Sequence, residues 1–107
     1  MKIAIMQCLK TGARCTGFGC FNAYNSRDKH FAQYGDDPPE LCAFFVCNGC
    51  QAEHTTDANW LHKLSRLRDG GVEKIHTGVC IGDKCAQREA LLAQITDFGF
   101  AVEEGTH

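Results

Sequence analysis

Two runs of consecutive apolar side chains, within Lys2–Gln7 (KIAIMQ) and over Leu41–Val46 (LCAFFV), set the terms on which this chain can fold. Neither alternates polar with apolar residues, so neither suits a strand with one face in water. A run that is apolar on both faces belongs inside a parallel sheet with helices covering it on either side. Helical patterns stand between the runs. Phe21, Tyr24 and Phe31 mark an amphipathic helix over Phe21–Tyr34, ended by Gly35 and Pro38-Pro39. Trp60, Leu61, Leu64 and Leu67 give a second, capped by Asp57 and stopped by Asp69-Gly70-Gly71. A third strand is expected at Lys74–Val79. A third helix follows at Ala86–Asp97, with Leu91, Leu92 and Ile95 inward, and a short last strand at Phe100–Glu103.

This β-α-β-α-β-α-β order predicts a three-layer α/β fold. Crossovers of a dozen or more residues join parallel strands with right-handed connections. The expected sheet has four mostly parallel strands in the flavodoxin-like order 2-1-3-4. The 107 residues form one domain, 1–107, large enough to bury a core without staples.

The unusual number is eight cysteines, with five histidines beside them. The opening apolar stretch breaks at Gln7, too short for the apolar part of a secretory signal, and no run approaches the ~18 residues of a membrane span. The expected compartment is therefore the cytoplasm, where disulfides are disfavoured and clustered thiols bind metal or do redox work. A formal net charge of −2 argues against nucleic acid or an anionic membrane as partner.

The topology gives the thiols a common address. Cys8, Cys47 and Cys80 end the first three strands and His107 follows the fourth, all on the carboxyl edge where open α/β sheets bind ligands. The loops leaving that edge carry Cys15, Cys20, Cys50 and Cys85. Cys42, inside the second strand, is expected as a small buried hydrophobe. Cys47-Asn48-Gly49-Cys50 is a C-x-x-C knuckle, whose two-residue spacing lets both sulfurs face one metal. His76 points to the same strand face as Cys80 but lies ~13 Å back from the rim, and reads as a hydrogen-bonded core residue. His54 and His107 are the outer ligand candidates, while His30 and His62 read as solvated helix faces.

These residues resemble the CGGC domain family of small, Cys- and His-rich prokaryotic proteins. The resemblance rests on Cys8 after a first strand, Cys15 and Cys20 before a helix, and Cys47-Asn48-Gly49-Cys50. Ile75-His76, Val79-Cys80-Ile81, Cys85 and Gly105-Thr106-His107 complete it. Asn48 stands where the family signature has glycine, and Cys85-Ala86-Gln87 where members commonly carry Cys-Pro-His. The resemblance implies metal binding, with zinc as the expected ion, and names no reaction.

Thiolate-rich sites favour zinc, an iron–sulfur cluster or another thiophilic metal over magnesium or calcium. Cys8, Cys47, Cys50 and Cys80 are expected to hold the ion, with Cys15, Cys20, Cys85 and His107 forming a second site or supplying further ligands. The protein would store, deliver or sense metal. The alternative is thiol redox chemistry at Cys47 and Cys50. Against it, the prolines, Pro38 and Pro39, both precede the motif, whereas thioredoxin-like folds place a cis proline ahead of a later strand. A third reading starts from Cys8 to Arg14, a C-x5-R sequence resembling the phosphate loop of low-molecular-weight tyrosine phosphatases. Asp37-Pro38, which mimics a general-acid pair, falls on the opposite rim.

Overall fold

A computed structural model describes the backbone of all 107 residues and every side chain except those of Asp83 and Lys84. The strands are β1 (Lys2–Gln7), β2 (Glu40–Val46), β3 (Val72–Thr77) and β4 (Ala101–Glu104). The helices are α1 (Leu9–Gly12), α2 (Phe18–Asn25), α3 (Ala58–Asp69), α4 (Val79–Lys84) and α5 (Arg88–Asp97), with a 3-10 helix at Lys29–Tyr34. The sheet order is β2-β1-β3-β4 with every neighbouring pair parallel, as expected.

β1 is the central strand, and its apolar run is divided between the two faces. Ile3 and Ile5 pack with Ala23 and Phe31 on one side. Ala4 and Met6 pack with Trp60, Leu64, Leu91 and Ile95 on the other. A strand that serves two cores needs apolar residues at every position, hence the continuous run. The direction of strand progression reverses between β1 and β3, which makes the gap above their carboxyl ends the switch point of the sheet.

Several expectations need correction. The helix expected over Phe21–Tyr34 is two segments, because Arg27 and Lys29 adopt left-handed backbone (φ 54° and 52°) between them. Asp28 then caps the 3-10 helix by accepting a bond from the Lys29 N–H. β3 ends at Thr77 rather than Val79, so Cys80 belongs to α4 and not to the strand. Cys42 is exposed, not buried. Ile3 pairs with Leu41 and Ala4 with Ala43, which leaves Cys42 as the extra residue of a bulge in the edge strand β2. His30 stands on the 3-10 helix with its side chain 41% exposed, beside Glu103 at 3.6 Å.

Candidate functional site

Loops leaving the carboxyl edge enclose a cavity of about 420 Å³. Its walls carry four of the expected cysteines: Cys8 after β1, Cys47 and Cys50 after β2, and Cys85 at the end of α4. Cys80 is not among them. The reason is helical phase: residues 80 and 85 stand five apart across α4, and at ~100° per residue five steps turn a side chain roughly 140° away.

The cavity thiols differ in character. Burial would raise the Cys8 thiol, but the Thr11 N–H and hydroxyl, the Lys10 N–H and the Lys10 charge outweigh it and lower Cys8 below the ordinary 9.0. A lowered thiol is the better metal ligand and nucleophile. Cys85 moves the other way: burial raises it, and the nearby Cys47, Cys50 and Cys8 sulfurs add to that. Cys47 is buried and Cys50 exposed.

The knuckle is held by a frame that sequence reasoning missed. Asn48 and Gly49 both have left-handed backbone (φ 66° and 96°), which folds the two intervening residues into a tight turn. Lys63, from α3, donates to the Val46 carbonyl at 3.0 Å and to the Asn48 side-chain oxygen. His54 sits with Nε2 2.6 Å from the Cys47 carbonyl and Nδ1 3.0 Å from Gln87 Oε1. Gln87 in turn donates to the Cys50 carbonyl at 2.6 Å. Both ring nitrogens of His54 are thus engaged, and the residue positions the turn instead of offering a free lone pair. Its only sequence signal is its place four residues after Cys50.

Of the remaining expected residues, Cys20 belongs to the cluster on the other face of the sheet, whereas Cys80 packs on the same cluster as the cavity thiols. Cys20 is buried, its sulfur 3.2 Å from the Thr106 hydroxyl. Burial raises its thiol, and the neighbouring Cys15 and Cys80 raise it further. His107 lies over α2, where a Cβ at Gly19 would stand 3.0 Å from its Nε2. Cys80 connects the groups, because its sulfur also receives the Cys8 N–H at 3.2 Å. His76 is fully buried, as a core residue should be. Burial pushes the Tyr34 hydroxyl up to about 12, so it stays protonated and donates to His76 Nε2 at 2.6 Å. His76 Nδ1 then donates to the Gly105 carbonyl at 3.0 Å, fixing the segment that carries Thr106 and His107.

Sulfur donors around one cavity suit a soft or borderline metal by type. Among the described residues, however, no three His, Cys, Asp or Glu side chains already converge to hold one ion. All eight cysteines are free thiols. No helix is long and apolar enough to cross a membrane among the described residues.

The family model of the CGGC domain matches residues 2–107. No curated protein and no solved structure gives a significant match.

Proposed function

We propose that this chain, which belongs to the CGGC domain family, binds a thiophilic metal ion through Cys8, Cys47, Cys50 and Cys85, and that the ion is zinc. The observation that carries this reading is the placement of four thiols from three separate chain segments around one cavity at the carboxyl edge. Cys50 is exposed and has no packing reason to be cysteine, and tetrahedral sulfur ligation is a common zinc environment. Closing on an ion requires the thiols to rotate about their Cα–Cβ bonds. The bound ion would act as a soft Lewis acid held by thiolates, while Lys63 and His54 keep the Cys47–Cys50 turn in place. Cys15, Cys20, Cys80 and His107 offer a second group of donors for storage or transfer. Free thiols in this number fit a reducing compartment, the cytoplasm.

The test is metal content and cobalt(II) absorption of the reduced protein. Cys47→Ser and Cys50→Ser should lose the ion and the thiolate-to-cobalt band, while Cys42→Ser, altered at the bulge of β2, should keep both. Equal loss in all three would overturn the ligand set. A brown protein with iron and sulfide would replace zinc by an iron–sulfur cluster.

A second reading, thiol redox chemistry, is favoured by one observation: Cys47 is buried and Cys50 exposed, the asymmetry of a resolving and an attacking thiol. Reversible Cys47–Cys50 disulfide formation in a glutathione redox buffer, without bound metal, would support it.

A further inference from the structure

The cavity holds more than its thiols. Lys10 and Arg14 stand on its wall, and among the described residues no carboxylate lines it. Among the described residues neither cation has a side-chain hydrogen bond or an ion pair; the ion pairs are His30–Glu103 and Arg88–Glu104. The chain has more acidic than basic residues, 13 against 11, yet among the described residues the concave surface at its switch point carries Lys10 and Arg14 and no Asp or Glu. Thiolates account for part of that balance. They do not account for the space, because an ion held at bonding distance from sulfur fills little of 420 Å³, a volume within the ~300–1,000 Å³ range of small-molecule pockets.

We propose that the mouth of this cavity binds a tetrahedral oxyanion of the phosphate type, free or as a monoester, between Lys10 and Arg14. The guanidinium fork matches two oxygens of such an anion at once, and the ammonium adds a mobile point charge. Both side chains are exposed at the rim, so the anion enters without displacing packed groups. Leu91 lies deeper in the same cavity and gives an apolar wall for the organic part of a monoester. The Cys8 thiol shares this wall with the two cations, so a bound anion shields it from other reagents. Lys10, in α1, and Arg14, just after it, belong to the segment that begins at Cys8, so one segment carries a thiol donor for the metal and the anion-binding cations. Neither Lys10 nor Arg14 is asked to coordinate a metal, so anion binding stands apart from it.

The experiment uses the full chain, reduced and free of metal, at low ionic strength. Inorganic phosphate and phenyl phosphate are titrated separately by calorimetry, with chloride as the control. Saturable binding of either probe is expected, with Arg14→Met weakening it about tenfold, the size of one charge-assisted pair. Arg14→Lys should recover part of that loss, because it keeps the charge and loses the fork. Arg66→Met, on the exposed surface of α3, should bind like the parent. Tighter binding of phenyl phosphate would assign the site to monoesters, and equal binding to the free anion. A readout without variants follows alkylation of individual cysteines by mass spectrometry: either probe should slow iodoacetamide at Cys8 and not at Cys42. Lack of saturable binding by both probes, equal weakening by Arg14→Met and Arg66→Met, or no selective protection of Cys8 would overturn the proposal. Any of these would leave metal binding standing.

Discussion

The Cys80 sulfur lies 3.2 Å from the backbone nitrogen of Cys8, across 72 residues of chain. The two residues follow adjacent parallel strands at the point where strand progression reverses. Cys80 is therefore the bridge between the cavity thiols and the Cys15–Cys20 group, and α4 sorts its two end cysteines between them.

That sorting is measurable. Cys85→Ser should weaken zinc binding at the cavity by more than the roughly 10–100-fold that loss of a supporting outer partner brings. Cys80→Ser should fall within that range, because its sulfur touches the Cys8 backbone from outside the cavity. Competition with a chromophoric chelator gives both affinities. A larger loss from Cys80→Ser than from Cys85→Ser would refute the assignment.

Lys63→Met should destabilise the fold by about 1.5 kcal/mol, since it removes charged donors from the Val46 carbonyl and Asn48. Urea unfolding measures this. The same variant should also speed alkylation of Cys47, whose turn loses its clamp. An unchanged midpoint would show that water replaces the ammonium without penalty.

Burial holds His76 below its ordinary 6.5, against the Gly105 carbonyl and Glu103, which raise it; Lys74 and His30 lower it further. Its other polar neighbour, Tyr34, is a neutral donor at these pH values. The folded state thus prefers neutral His76 while the unfolded chain takes up a proton near 6.5. Its contribution to stability is complete above that value and is lost as pH falls below it. Melting between pH 7.5 and 5.5 should show a steeper decline for the parent than for His76→Phe, which should be less stable at pH 7.5. Parallel slopes would remove His76 from the account.

Chelation under reducing conditions should leave the helical circular dichroism signal intact and the melt cooperative. Two hydrophobic clusters, one on each face of β1, supply the core without any ion, unlike domains whose folding energy is metal-binding energy. Collapse of the signal on metal removal would make the ion structural.

Strand order was legible because β1 must serve two cores and shows it at every position from Ile3 to Met6. The first helix was misread because its break lies at Arg27 and Lys29, residues that carry no conformational signature of a turn. The carboxyl-edge location of the thiols could be read from strand ends, but their grouping could not. It depends on β3 ending at Thr77, two residues before the expected Val79, with Gly78 as the N-cap of α4. His54 and Lys63 act through backbone carbonyls, contacts with no spacing rule in sequence. Cys42 looked buried because its neighbours are apolar, while its exposure follows from a register shift.

That shift has a consequence for how the molecule meets others of its kind. β2 forms an open border of the sheet, and an even ladder of unused backbone groups there would invite another chain to add a strand. The extra residue at Cys42 breaks the spacing midway along that border, so an incoming strand in register with Glu40 and Leu41 falls out of register by Phe44. One inserted residue at the rim farthest from β4 thus acts as a guard against sheet extension and fibre growth.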